Sequence, residues 1–425
     1  MAHTLRPVAS LLLGVAFLLA GNGLQITLIP LAGEASGFTT VSLGLIGSSY
    51  YVGFVGGCLL GPFMILRVGH IRSFSAMVSA AAAIAVAHSL AVDPIAWGIF
   101  RGISGFCFAG LYLIIESWLN DRATNENRGF VMSSYIVVNF VTIMIGQLMV
   151  TLYPVTSFAP FVLASMLVSV AALPVALTRS AQPAPITLVR FRPMELIRAA
   201  PVGVAGAFMI GCANGAFWAL GPVFATGSGL SIDDTAVFMA VAIAAGALSQ
   251  WPVGRLSDRF DRRLVLAVLL VMSAIAGLAL WLTPFGTDGL LVLAFLFGAL
   301  TLPGYSLAAA HAYDKTPAGG YVETAAGILL VNGLGSIIGP LVAALVMGGV
   351  GPSGLFLFTA ATQLLLAGFT VVRMSVKAST ARGDKTDFDL ASTSPMGAVI
   401  TPDPIDSADP LVVMPEPYPG PDRST

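Results

Sequence analysis

Residues 254–283 read GRLSDRFDRRLVLAVLLVMSAIAGLALWLT and join two very different kinds of sequence. The first ten residues carry four arginines and two aspartates, whereas the next twenty, residues 264–283, carry no charge. Twenty residues of helix extend about 30 Å, which is the thickness of the hydrocarbon core of a bilayer. The stretch therefore predicts a short basic loop followed by a helix that crosses a membrane.

Eleven further apolar runs of this kind occur along the 425-residue chain. Hydrophobic residues make up 56% of the chain and charged residues only 10%, against about 25% charged in soluble domains. This composition argues against a soluble enzyme, a nucleic-acid-binding protein and a disulfide-stapled secreted domain. Strands of a membrane barrel would alternate over about ten residues, so these longer uniform runs predict helices. The twelve predicted spans are residues 8–31, 41–65, 73–92, 95–118, 130–153, 157–178, 200–225, 236–254, 264–283, 289–312, 322–348 and 353–374.

The basic residues follow a strict alternation along the chain. Eighteen of the twenty Lys and Arg lie in the N-terminus, in every second loop or at the start of the tail. The other loops hold no Lys or Arg, and the charged residues in them are the acids Glu34, Asp93, Asp233, Asp234 and Asp288. Since basic loops stay on the cytoplasmic side of a membrane, we expect a multi-pass protein with both termini in the cytoplasm.

The sequence also repeats itself at about half the length of its membrane portion. Asn22 is followed eight residues later by Pro30, and the same pattern recurs 192 residues further on as Asn214 and Pro222. Asn139 recurs in a similar setting as Asn332, after 193 residues. Duplication of a unit with six spans brings both copies into the membrane from the same side. The repeat therefore predicts two bundles related by an axis along the membrane normal.

Two segments fall outside the predicted bundles. One of them carries four Arg and three Pro and separates the first six spans from the last six. The other carries eight acidic residues, four basic residues and eight Pro, which is too polar a composition to bury a core. The expected division is an N-terminal six-helix bundle (1–178), a cytoplasmic central loop (179–199), a C-terminal six-helix bundle (200–375) and a disordered cytoplasmic tail (376–425).

Short motifs link this architecture to a known family. Residues 254–263 are similar to the loop signature G-x-L-x-D-R-x-G-R-R of the major facilitator superfamily, with Asp261 in place of its second glycine. Residues 101–105, RGISG, are similar to the family's second signature, an arginine that opens a glycine-rich helix, and residues 116–120, ESWLN, resemble the YcaD-like branch. The resemblance implies an all-α membrane protein with twelve transmembrane helices in two pseudo-symmetric six-helix bundles. It also implies a bacterial inner-membrane location.

Candidate binding residues are polar side chains in the middle of apolar spans. Arg101 lies about 9 Å inside the fourth span, where a charge costs at least about 2.5–3.5 kcal/mol. In a functional role, Arg101 meets a substrate oxygen or takes part in proton coupling. In a structural role, it extends towards Asp93 or bonds to backbone carbonyls. The uncharged candidates either line a cavity or join helices. The predicted substrate-binding residues are Asn22, Gln25, Arg101, Asn139, Asn214, Trp218, Gln250, Tyr305 and Asn332.

Charged residues near the inner ends of the spans are candidates for a gate. Glu116 lies about 22 Å along the same helix from Arg101, so these two residues cannot pair with each other. Glu116 can instead reach arginines at the cytoplasmic mouth, and such ion pairs either break during transport or are static ties. The predicted gating residues are Arg67, Arg72, Glu116, Arg128, Asp258, Arg259 and Arg263.

The sequence contains no nucleophile–base arrangement, phosphate-binding loop or metal-spaced Cys/His cluster, so we expect no enzyme, no metal and no cofactor. The expected function is secondary active transport of a small organic solute across the bacterial inner membrane by alternating access, coupled to protons. The alternatives are uniport-type uptake of a vitamin-like heteroaromatic nutrient, and a non-transporting membrane receptor or scaffold that acts through the tail. The expected partners are a small-molecule substrate, protons and the lipid bilayer, without nucleic acid, and the expected state is a monomer.

Overall fold

The computed structural model describes residues 8–124, 127–177, 193–282, 286–316 and 320–376, and the regular structure in these ranges is helical throughout. A 3₁₀ turn, Met149–Leu152, extends the fifth helix. In chain order the α-helices are α1 (Ala9–Ala35), α2 (Thr40–Val68), α3 (His70–Leu90), α4 (Pro94–Arg122), α5 (Arg128–Leu148), α6 (Ala159–Val170), α7 (Ala172–Ala176), α8 (Pro193–Ala199), α9 (Pro201–Gly227), α10 (Ile232–Arg259), α11 (Arg262–Leu282), α12 (Thr287–Thr301), α13 (Pro303–Tyr313), α14 (Tyr321–Val350) and α15 (Gly354–Val376).

Eleven helical segments in the described part of the chain are long and apolar enough to cross a membrane, so the predicted all-α membrane fold is confirmed. The sixth predicted span is a shorter apolar segment, in which Ala171 separates α6 from α7. The short helix α8, Pro193–Ala199, lies in the last part of the predicted central loop at 179–199. The rest of that loop and residues 377–425 of the predicted tail lie outside the described residues.

Glycines allow α2 and α4 to pack backbone against backbone. A Cβ added at Gly53 would overlap the carbonyl oxygen of Gly102, and one added at Gly105 would overlap the carbonyl oxygen of Tyr50. Small residues of this kind let membrane helices approach closely enough for van der Waals packing to hold them together. The approach brings the polar side chains of α4 beside the aromatic rings of α2.

The hairpin of α1 and α2 carries the same local signals as the hairpin of α9 and α10. Thr39 caps α2 by accepting the backbone N–H of Ser42, and Ser231 caps α10 by accepting that of Asp234. These two caps are 192 residues apart, the same interval that separates the repeated asparagines. The repeat in the sequence therefore recurs in the local structure of the chain.

Short connections join most consecutive membrane helices, which therefore run antiparallel. We call the end of the molecule that carries the acidic loops the acidic face, and the opposite end the basic face. The acidic face is defined by Glu34, Asp93, Asp233, Asp234 and Asp288.

The helices before and after the central loop touch at the acidic face. Thr226 Oγ1, at the end of α9, donates a hydrogen bond of 2.7 Å to Glu34 Oε2, at the end of α1. A Cβ added at Gly44 of α2 would lie 2.5 Å from Ala344 Cβ and 2.8 Å from the carbonyl oxygen of Pro340, both on α14. The two sets of helices are thus in direct contact at this end.

Candidate functional site

A cavity of about 350 Å³ lies in the middle of the molecule, between the two sets of helices. Side chains from α1, α2, α4 and α5 line one wall, and side chains from α9, α10, α13 and α14 line the other. The lining combines apolar and aromatic groups such as Phe54, Phe140 and Trp218 with a small number of polar groups. A concave, mostly apolar chamber with a few placed polar groups is the usual form of a site for a small organic molecule.

Arg101 is the only charged side chain among the described residues that line this cavity. Its side chain is 7% exposed, and its guanidinium carbon lies 4.3 Å from the centre of the Tyr50 ring, which is a cation–π contact. Its Nη1 atom is buried without a hydrogen-bond acceptor. Asp93 caps the start of α4 by accepting the backbone N–H groups of Ile95 and Ala96. Arg101 therefore points into the cavity and is not extended towards Asp93.

Two amides of α1 that line the cavity have buried acceptor atoms without a donor. Gln25 Nε2 donates to the carbonyl oxygen of Gly21 at 3.3 Å, but its Oε1 is buried without a donor. Asn22, one turn earlier, also has a buried Oδ1 without a donor. Since buried polar atoms normally have hydrogen-bond partners, these two oxygens are candidates to accept hydrogen bonds from a ligand.

The amides of the opposite wall are used mainly to join helices. Asn332 Nδ2 on α14 donates to the carbonyl oxygen of Ala207 on α9 at 3.0 Å. Ser306 on α13 donates to Gln250 Oε1 on α10 at 3.3 Å. These bonds fix the packing of the second set of helices and occupy Asn332 Nδ2 and Gln250 Oε1.

A buried carboxylate lies between the cavity and the basic face. Glu116 is 1% exposed, and it accepts a hydrogen bond of 3.0 Å from the Tyr135 hydroxyl on α5. Arg67 and Arg72, which were expected to lie near it, are exposed side chains. Glu116 is thus part of the helix interior, where removing a partner is far more costly than at the surface.

A second group of charges ties together three helices at the basic face. Arg262, at the start of α11, contacts Asp314 at 3.0 Å and Asp258 at 3.3 Å. Both Arg262 and Asp314 have side chains that are 1% exposed. Arg263 pairs with Asp261 at 2.8 Å. Burial raises the pKa of Asp261, but hydrogen bonds from Arg263 outweigh burial and hold that pKa below its usual value.

The family model of the Major Facilitator Superfamily matches residues 11–329 and 204–405 of the chain. The chain belongs to the Major Facilitator Superfamily. It is a multi-pass membrane transporter and not an enzyme. The uncharacterized MFS-type transporter YcaD of Salmonella arizonae is 31% identical over 369 residues, which cover 86% of this chain and 95% of that protein. An uncharacterized MFS-type transporter of Enterobacter sp. (strain 638) is 30% identical over 364 residues, with coverages of 85% and 94%. The predicted YcaD-like branch is confirmed.

Solved structures of superfamily members have the same fold. The nucleoside transporter NupG matches with a TM-score of 0.70 and 15% identity, covering 87% of this chain and 99% of that one. A bacterial homolog of the human lysosomal transporter Spinster, in an inward-facing and occupied conformation, matches with a TM-score of 0.70 and 17% identity, covering 90% and 98%. At these identities the likeness concerns the fold alone.

Most of the predicted binding residues of this transporter come together. Eight of the nine line the cavity, namely Asn22, Gln25, Arg101, Asn214, Trp218, Gln250, Tyr305 and Asn332. Asn139 is not among the described lining residues, and both atoms of its amide are buried without a partner inside the first set of helices. Their role in binding stays a prediction.

The predicted gating residues of this transporter are dispersed. Glu116, Asp258 and Arg263 take part in the buried or partly buried pairs described above. Arg67, Arg72 and Arg259 are exposed, and Arg128 is partly buried. Their role in gating also stays a prediction.

Sequence reasoning missed two contributors to these groups. Ser306, which donates to Gln250, follows the predicted Tyr305 directly and is one more polar residue in an apolar run. Arg262 was passed over in favour of Arg263, although both stand in the basic signature loop. The signal for each was present, but choosing between neighbouring residues required the direction in which each side chain points.

Proposed function

We propose that this chain is a secondary active transporter that moves a small organic solute across the bacterial inner membrane by alternating access, coupled to protons. The observation that carries the proposal is the central cavity, which both sets of helices line and which holds one deep charge, Arg101. A chamber of about 350 Å³ suits a small organic molecule. Its mixture of rings, amides and one cation suits a solute that is amphipathic or aromatic.

The contacts at the acidic face support the proposed mechanism. Ser48 Oγ donates to the carbonyl oxygen of Ile337 at 2.6 Å, and Gly47 lies against the Ala219 methyl group. These contacts, like the bond between Thr226 and Glu34, join helices from opposite sides of the central loop. Because the positive-inside rule assigns the basic face to the cytoplasm, we interpret this conformation as closed towards the outside.

We further propose that residues 1–178 and 200–375 move as two units around the cavity, connected by residues 179–199. Rocking of two repeats about a fixed site is the simplest way to expose one cavity to each side in turn. Opening of the acidic face would require the contacts of α2 with α14 and α9 to separate and the bond between Thr226 and Glu34 to break.

Glu116 is the candidate for the residue that binds the proton. It is a carboxylate in the interior of a membrane helix bundle, and it accepts a hydrogen bond from the Tyr135 hydroxyl. Buried carboxylates of this kind serve as proton-binding groups in membrane transporters when their surroundings change with conformation. Its position between the cavity and the basic face fits a proton that enters or leaves on the cytoplasmic side.

The transport proposal is tested with the purified full-length protein in liposomes that contain a pH-sensitive dye. Addition of a small-molecule panel is expected to reveal at least one solute whose movement changes the internal pH, and Glu116→Gln should abolish the pH change. Solute movement that proceeds without any pH change would favour the uniport alternative. If no solute moves, and deletion of residues 377–425 removes a cellular phenotype, the receptor alternative replaces the proposal.

A further inference from the structure

We infer that the substrate is an organic monoanion, with a carboxylate that binds Arg101 and a hydrogen-bond donor that faces Asn22 or Gln25. This inference rests on the proposed transport function and narrows its substrate class. The described cavity contains one unneutralised cation, one orphaned donor and two orphaned acceptors, all on the same wall.

The charge balance of the cavity disfavours two classes of ligand. Arg101 is the only charged group among the described lining residues, and Glu116 lies about 22 Å away along the helix axis. A cationic ligand would add a second positive charge in a region of low dielectric, where repulsion is strong. A neutral ligand would leave the buried guanidinium without a counter-charge. An anion with one charge neutralises the site.

The geometry of Arg101 indicates which group binds the anion. The Tyr50 ring covers one face of the guanidinium, with 4.3 Å between the guanidinium carbon and the ring centre. That contact occupies the face of the group and leaves its edge, where the N–H groups lie, available. The edge of a guanidinium matches the two oxygens of a carboxylate, and the buried Nη1 has no acceptor in the protein.

The neighbouring acceptors specify a second feature of the ligand. Asn22 Oδ1 and Gln25 Oε1 are buried acceptors without donors, and both residues line the cavity together with Arg101. A carboxylate alone would leave them unsatisfied, and a buried acceptor without a donor is costly. A ligand that carries a carboxylate and also a hydroxyl or N–H group can bind Arg101 and donate a hydrogen bond to one of these acceptors.

The opposite wall provides for an apolar body. The positions 192 residues after Tyr50 and Arg101 are Ala242 and Leu293, so the repeat has kept the cation on one side only. The Trp218 ring and apolar side chains such as Leu302 line that wall. The expected ligand is therefore amphipathic, with its polar end towards α1 and α4 and its apolar body towards α9 and α13.

The test measures ligand-induced thermal stabilisation of the purified full-length protein. The probes are hydroxy-substituted, amino-substituted and unsubstituted aromatic and aliphatic monocarboxylates, each paired with its primary amide and its amine. At least one substituted acid is expected to stabilise the wild type, more strongly than its unsubstituted analogue, while the paired amide and amine have little effect. This comparison needs no variant, so it holds even if a substitution prevents folding.

Variants of Arg101 test whether its charge binds the acid. Arg101→Gln should lower the apparent affinity for the acid by about tenfold or more, since hydrogen bonds to charged groups are the strong ones. Arg101→Lys should bind more weakly than the wild type because the planar fork is lost. Arg198→Gln, which removes an exposed guanidinium on α8, is the matched control and should bind as the wild type does.

Three results would overturn the inference: amides or amines that stabilise as well as acids, an acid whose effect survives in Arg101→Gln, or a panel in which no acid stabilises the wild type. Transport of a neutral or cationic solute in the liposome assay would overturn the substrate class and leave the transport proposal standing. Absence of transport for every class would instead remove the proposed function itself.

Discussion

Gly44→Ala should open the acidic face. The added Cβ would lie 2.5 Å from Ala344 Cβ and 2.8 Å from the carbonyl oxygen of Pro340. Carbon atoms in good contact are about 3.5–4.0 Å apart, so α2 and α14 must separate by about 1.0–1.5 Å in the closed conformation. Overpacking of this kind costs about 1–3 kcal/mol. Because the open conformation already separates these helices, the ratio of open to closed molecules should rise by about 5- to 150-fold.

The assay is double electron–electron resonance between spin labels at Ser36→Cys and Ser228→Cys, in a background without the native cysteines. These two exposed positions lie on opposite sides of the contact at the acidic face. Gly44→Ala should increase the population of the longer distance. Gly348→Ala is the matched control, because a Cβ at Gly348 meets nothing within 4 Å. An unchanged distance distribution in Gly44→Ala, or an equal change in the control, would refute the reasoning.

Four further outcomes are expected. Thr226→Val removes one hydrogen bond across the acidic face and should shift the same spin-label populations by up to about tenfold, whereas an unaltered distribution would make that bond incidental. Glu116→Gln should keep solute exchange and lose substrate-driven proton movement, as recorded with a pH-sensitive dye inside liposomes, and intact proton movement would exclude it as the proton site. Asp314→Asn removes one of the two carboxylates that contact the buried Arg262 and should destabilise the folded protein by up to about 3–5 kcal/mol, seen as a lower unfolding temperature, so an unchanged temperature would contradict the pairing. Asn22→Ala should weaken ligand binding at nearly unchanged thermal stability, and equal binding by variant and wild type would remove it from the site.

The helical spans could be predicted from the sequence because a local pattern determines each of them. A run of about twenty apolar residues defines each span, and the predicted span 264–283 agrees with α11, Arg262–Leu282, to within two residues at each end. The predicted sixth span, residues 157–178, corresponds to α6 and α7 together, with a break at Ala171 that the apolar run did not indicate. The side of the membrane on which each loop lies, by contrast, depends on the positive-inside rule alone and stays a prediction.

The candidate site followed from the sequence only where the signal was a polar residue in an apolar run. Asn22 and Asn214 were recognised in this way and line the cavity. Asn139 carried the same signal but lies inside the first set of helices, because the face of α5 that it occupies is determined by tertiary packing. The contact of Tyr50 with Arg101 depends on the close approach of α2 and α4, which no local pattern specifies.

The central claim is that the two halves move in opposition around the cavity. One measurement tests it most directly: the spin-label distances across both faces of the same protein, with the pair 36–228 at the acidic face and the pair Val68→Cys with Phe260→Cys at the basic face. The account predicts that Gly44→Ala lengthens the first distance and shortens the second. A lengthened acidic-face distance with an unchanged or longer basic-face distance would contradict alternating access.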